Sequence, residues 1–244
     1  MFKGLGTLLN VSTIILGSIA GILVGSRFKE HTRELITSAL GCVTLLAAAD
    51  SIKGLWSSEF IAALPKGWPI LIVLFSLLGG ALIGQAIKIE ERMESLGAIL
   101  KDRFDRNGTT PFIEGFVSSS LLFVIGPMAI LGSISDGMGT GISQLTLKSI
   151  LDGITSIAFA ASLGWGVALS ALPVGIYQLA WTAVGIFLGS VLPAYQIVSL
   201  TTVGGILLLG ISLRLLRIKN IPVGNLLPAL FLAPLITGLV HQFN

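Results

Sequence analysis

Lys148 and Asp152 are the two side chains of this sequence whose types and spacing most invite chemistry. They stand four residues apart inside an apolar stretch, 145–163, and so share one face of a helix one turn apart. An ionised group near the centre of a bilayer costs about 2.5–3.5 kcal/mol on insertion scales, so such a group faces a partner or a water-filled cavity. Two readings stand. Either the residues neutralise each other as a buried ion pair, or they line a substrate path and change partners as a solute passes. Lysine precedes aspartate, the weaker order for stabilising a helix, so helix stability gives little reason to keep the pair. Thr155, Ser156 and Ser162 extend the polar stripe, and Ser156 joins the candidate path.

Three further acids fall within or at the ends of apolar segments: Asp50, Glu114 and Asp136. Asp50 and Glu114 are close enough to segment ends for their carboxylates to reach the interface. The remaining acids are expected in loops or on a surface helix. Asp136 lies in the run 132–141, which holds four glycines and is expected to be an irregular loop, either an external turn or a protein-enclosed cation site. Gly126-Pro127 ahead of it should kink the preceding helix and free backbone carbonyls. Near the C-terminus, Asn225 lies among Pro222, Pro228 and Pro234, where an amide serves as interhelical glue or as a ligand contact.

The elements that must carry these groups follow from composition. Of 244 residues, 53% are hydrophobic and only 11% charged, and the mean hydropathy is +0.93. A soluble domain carries roughly 25% charge. The expectation is an all-α polytopic membrane protein with eight spans at 4–26, 35–52, 68–86, 111–131, 145–163, 174–191, 197–213 and 222–240. A break at Gly164-Trp165-Gly166 leaves seven or nine as alternatives. Eleven basic residues (Arg27, Lys29, Arg33, Lys88, Arg92, Lys101, Arg103, Arg106, Arg214, Arg217, Lys219) fall on one side of this arrangement and three (Lys3, Lys53, Lys66) on the other. By the positive-inside rule the eleven are cytoplasmic, and both termini are expected outside. This clustering beside apolar segments also argues against nucleic acid as a partner. The single cysteine, Cys42, is expected to be a small buried packing residue.

Residues 87–106 form the longest charged stretch. Ile89, Met93, Leu96, Leu100 and Phe104 recur at helical spacing, with Asp102 and Arg106 as an i,i+4 pair, so an amphipathic helix on the cytoplasmic membrane surface is expected. An internal repeat overlays Gly21–Gly25 on 185–189 at an offset of 164, Gly41 on Gly204, and 79–84 on 233–238. Spans 1–3 then resemble spans 6–8 with opposite topology, the inverted-repeat architecture of many secondary transporters. The organisation is one integral membrane domain, 1–244: a first repeat 1–86, the interfacial helix 87–106, central spans 111–172, and a second repeat 174–244. Glycines four apart (Gly17, Gly21, Gly25; Gly80, Gly84; Gly185, Gly189) suit close helix packing within the chain, with a homodimer seam as the alternative.

His31 and His241 are isolated, and no Cys-x-x-Cys or phosphate-binding glycine-lysine motif occurs, so no metal, cofactor or ATP-hydrolysing site is expected. Ser118-Ser119-Ser120 with Lys148 makes no supported serine–lysine dyad, and an enzyme is not expected. The runs 132–141, 148–152, 204–209 and 225–230 resemble the YdfK/YqgA family of bacterial inner-membrane proteins, whose function is unknown, and the resemblance spans nearly the whole chain. It implies a bacterial plasma-membrane location. The family commonly shows Thr-Gly-Asp where this chain has Gly139-Thr140-Gly141, and the missing acid at Gly141 argues against a multi-carboxylate metal site there. The expected function is a secondary transporter or exporter of a small cationic or zwitterionic solute, with a non-transporting scaffold or sensor and a passive channel as alternatives. The lipid bilayer is the one assured partner.

Overall fold

The computed structural model describes residues 2–104, 111–188 and 192–243; the end of the sixth expected span, Gly189 of the repeat and Arg106 of the expected ion pair lie outside them. The protein is all-α, with no strand among the described residues. Its helices are α1 (Leu5–Gly25), α2 (Glu30–Ile52), α3 (Ser58–Ala62), α4 (Trp68–Ile87), α5 (Ile89–Phe104), α6 (Phe112–Val124) and α7 (Pro127–Met138). They continue with α8 (Ser143–Leu163), α9 (Gly166–Leu169), α10 (Ala171–Leu188), α11 (Ala194–Leu215) and α12 (Ala229–Gln242). Short 3-10 turns cover Lys53–Trp56 and Val223–Leu226.

Among the described residues, six helical segments are long and apolar enough to cross a membrane, and a seventh is obtained if the bent pair α6–α7 is one span. The remaining expected span, the fifth at 145–163, is α8. Its 21 residues reach about 31 Å at 1.5 Å per residue, yet its buried Lys148, Ser149, Asp152 and Ser156 make it too polar to pass on composition. Gly126, at φ 135° and ψ 152°, breaks α6 from α7, which start a 62° bend as Gly126-Pro127 foretold. The expected loop 132–141 is largely helical instead: α7 runs to Met138, and only Gly139 (φ 76°) and Gly141 (φ 140°) take conformations that L side chains avoid. Gly132 and Gly137 serve helix packing, because a Cβ at Gly137 would collide with the Thr182 carbonyl oxygen.

The chain divides into two compact units. Unit 1 comprises Met1–Leu40 and Met93–Val191. Here Gly17, Gly21 and Gly25 of α1 rest on the carbonyls of Gly153, Ile157 and Ala161 of α8, a register that makes the two helices parallel. Gly4 against Leu179 and Gly175 against Val11 set α10 antiparallel to α1. Gly115 against Leu163, with Phe123 beneath Lys148, sets α6 antiparallel to α8. These contacts fill the glycine face of α1 from within the chain.

Unit 2 comprises Gly41–Arg92 and Leu192–Asn244. Gly80 and Gly84 of α4 meet Ala229 and the Asn225 carbonyl, so α4 and α12 run antiparallel. Gly205 against Ala48 and Ser51, and Gly41 against Leu215 and Leu216, set α11 antiparallel to the C-terminal part of α2. Phe60, Leu64 and Ile72 form an apolar core beside them. Cys42 is exposed on the surface of α2 rather than buried: it neighbours Gly41, whose face meets α11, but its own side chain points away.

Candidate functional site

The site begins on α8. Lys148 and Asp152, each 7% exposed, form an ion pair of 2.7 Å, as one turn of helix requires. The same carboxylate oxygen, Asp152 Oδ2, also accepts a hydrogen bond of 3.0 Å from Nδ2 of Asn10 on α1. The Lys148 ammonium stands 6.0 Å from the ring centroid of Phe123 on α6, at the outer limit of a cation–π contact. Thus α1, α6 and α8 converge on one buried pair. Asn10 is fully buried, and its carbonyl oxygen Oδ1 has no partner among the described residues. Ser156, one turn beyond Asp152, is also fully buried with an unpartnered hydroxyl.

Asp136 belongs to the same unit with a different local role. Its Oδ2 accepts the backbone N–H of Gly6 at 3.0 Å and so caps the first turn of α1 from the side of α7. That turn has no capping side chain of its own, since Gly4 precedes it. A buried carboxylate there satisfies an orphan donor and opposes the positive end of the helix dipole. Beside it, an apolar groove of about 560 Å³ runs between α1 and α10, and Thr7 lies on its wall.

The other expected residues are not part of this cluster. Glu114 is half-buried in the first turn of α6. Asp50 is exposed at the end of α2 in unit 2, where it pairs with Lys53 at 3.1 Å, and it does not join the Lys148–Asp152 cluster. Asn225 is the hub of a second buried network, within unit 2: its Oδ1 accepts the Glu90 N–H at 2.9 Å and its Nδ2 donates to Gln85 Oε1 at 2.9 Å. Glu90, expected on a solvated surface helix, is instead 5% exposed. Its carboxylate accepts from the Arg214 guanidinium and from Gly224 N–H at 2.6 Å, and Arg214 also donates to Ile221 O and Asn220 Oδ1. The reason for the discrepancy is positional. Glu90 lies in the first turn of α5, directly after the left-handed Lys88 (φ 54°), where the chain bends back against α11 and the turn before α12. This network is fully bonded and reads as a structural clasp.

Sequence reasoning missed Asn10, Thr7 and Gln178. The signal for each was a polar residue within an apolar segment, weaker than a charge because an amide costs less in a membrane.

A family model described as "Protein of unknown function (DUF554)" matches residues 5–238. The chain belongs to this family. The DUF554 match takes in every residue of both buried networks. The "Uncharacterized membrane protein YdfK" of Bacillus subtilis (strain 168) is 31% identical over 240 residues, 98% of each chain. The "Uncharacterized protein YqgA" of Escherichia coli (strain K12) is 34% identical over 235 residues, 94% of each chain. No solved structure matches this DUF554 chain.

Proposed function

We propose that this protein is a secondary transporter or exporter of a small cationic or zwitterionic solute in a bacterial plasma membrane, and not an enzyme. The observation that carries this reading is Asp152. One buried carboxylate oxygen of a membrane protein holds two donors from two helices, Lys148 and Asn10, while the other end of the Asn10 amide is unpartnered. A self-contained ion pair needs no third group. An acceptor shared by exchangeable donors can instead pass from lysine to an incoming ammonium, with Lys148 released to a carboxylate on the same solute. Among the buried charged groups of unit 1, Asp136 and Asp152 stand against Lys148 alone, an excess of negative charge that favours a cation.

The proposed inverted repeat is supported by a likeness of packing. Gly21 and Gly185, which the offset of 164 superposes, each receive a backbone carbonyl of a central helix, Ile157 of α8 and Ile134 of α7.

The test is solute-induced current from proteoliposomes challenged with a panel of ammonium and amino-carboxylate compounds. The wild type is expected to give a current that both Lys148→Leu/Asp152→Leu and the exchanged pair Lys148→Asp/Asp152→Lys lose, with melting temperatures near that of the wild type. An apolar double variant that carries full current, or a folded wild type that moves no solute of the panel, refutes the reading.

A further inference from the structure

We propose that a hydrated path for small cations runs along α1 through unit 1, from Thr7 and Gln178, past Asn10 and the Lys148–Asp152 pair, to Ser18 and Ser156. The inference rests on the transport reading above and gives it a route.

Buried polar atoms in folded proteins are nearly always hydrogen-bonded, to protein or to water, because leaving one unpaired costs about 1–3 kcal/mol. In unit 1, besides Arg33 Nε and the hydroxyls of Ser118 and Tyr177, such atoms fall in one series along α1. Gln178 of α10 is fully buried with both Nε2 and Oε1 unpartnered, and Thr7 of α1 is 3% exposed with an unpartnered hydroxyl. They share a level, since Gln178 falls between Leu179, which meets Gly4, and Gly175, which meets Val11. One turn further along α1 is Asn10 with its free Oδ1, bonded through Nδ2 to Asp152. Two turns beyond that, Gly17 packs where a Cβ would meet Ser156, and Ser18 follows it; both serine hydroxyls are fully buried and unpartnered.

The serines make the point sharply. A serine inside a helix can always donate to the carbonyl a turn before it, as Ser119, Ser120, Ser133 and Ser149 do. Ser18 and Ser156 do not. Their hydroxyls, with the Gln178 amide and Asn10 Oδ1, form a series of free donors and acceptors that water can satisfy at two to four bonds per molecule. From Thr7 to Ser18 the series covers about 17 Å of helix at 1.5 Å per residue. Midway along it stands Asp152, the only group of the series with a full negative charge, closed by Lys148. A cation moving along the series must displace the lysine, so the pair acts as its gate.

The experiment uses thiol accessibility in sealed proteoliposomes of the full chain, with the exposed Cys42 replaced by alanine. Single cysteines are placed at Ser18, Asn10, Ser156 and Gln178, and at Val167 and Val203, away from the path, as fully buried apolar controls. The probes are 2-aminoethyl methanethiosulfonate, a small cation, and its anionic sulfonatoethyl analogue. Because thiolates attack the sulfur of these reagents and expel sulfinate, and thiolates need water to form, the path positions are expected to react with the cation at least about tenfold faster than the controls. The anion is expected to lag. Ser18→Cys and Ser156→Cys exchange one atom and keep the fold, so they decide the question if a bulkier change unfolds the protein. Path cysteines as inert as those at 167 and 203 overturn the proposal, and equal rates for anion and cation overturn its charge preference. Inert cysteines in a protein that still moves solute reject this route alone; reactive cysteines in one that moves none reject the transporter reading alone.

Discussion

At the residue scale, the two buried ion pairs have opposite characters, and substitution separates them. Glu90–Arg214 is closed: the carboxylate and guanidinium also bond to Gly224 N–H, Ile221 O and Asn220. Removing one partner strands a buried charge, so Arg214→Met is expected to destabilise the protein by about 3–5 kcal/mol. Thermal unfolding in detergent measures this, and the double variant Glu90→Met/Arg214→Met should recover most of the loss. Lys148–Asp152 is open, since Asn10 and its neighbours keep unpartnered atoms. Asn10→Leu should therefore leave the melting temperature almost unchanged and abolish solute current. Legibility at this scale followed charge. Lys148 and Asp152 announced themselves, because a formal charge in an apolar run demands an explanation, whereas Asn10 and Gln178 resemble ordinary interhelical glue. Glu90 was hidden for a different reason. Its neighbours in sequence are charged and exposed, and only the fold of α5 against the turn before α12 shows that this one carboxylate faces inward.

At the element scale, glycine does two different jobs, and the sequence alone did not distinguish them. In α1 and α7 it lets backbones touch; at Gly139 and Gly141 it permits a positive φ. The run 132–141 reads as a loop because both kinds occur in it within ten residues. The two jobs predict different responses. Gly21→Val drives a side chain into the Ile157 carbonyl, where neither backbone can yield, and is expected to cost about 1–3 kcal/mol or more, with α1 displaced from α8. Gly139→Ala meets no neighbour within 4 Å, and its cost is the left-handed backbone alone, about 1–2 kcal/mol. Melting temperatures rank the two, and a variant at Gly21 as stable as wild type would disprove the carbonyl contact. Helix α5 was legible in extent, expected at 87–106 and found at Ile89–Phe104, but its inward line was not. The inner line runs through Glu90, Met93 and Gly97, with Gly97 on Phe116, while Leu96 and Phe104 of the expected apolar stripe are exposed. Those exposed apolar groups are what an interfacial helix would offer to lipid.

At the scale of the whole molecule, helix directions bear on the number of crossings. Within unit 1, α1 and α8 are parallel through the repeated contacts of Gly17, Gly21 and Gly25. Parallel helices in a membrane are separated by an odd number of crossings. Between them lie α2 and α4, each long and apolar enough to span, and the bent pair α6–α7. Parity holds if the bent pair crosses once, and fails if it enters and leaves by the same side. The antiparallel pairing of α6 with α8, and of α1 with α10, agrees with a single crossing. Polar α8 then counts as a span because protein, not lipid, covers its Lys148–Asp152 face. With eight crossings both termini lie on one side, and by the positive-inside rule the eleven basic residues are expected on the other, in the cytoplasm. Reporter fusions that fluoresce only in the cytoplasm and phosphatase fusions active only outside should therefore place residue 244 outside and residues 87–106 inside. A C-terminus found inside would require seven crossings or nine. Because α1 and α8 must remain parallel, the miscounted element would then lie after α8, at the break between Gly164 and α10 or at the turn before α12.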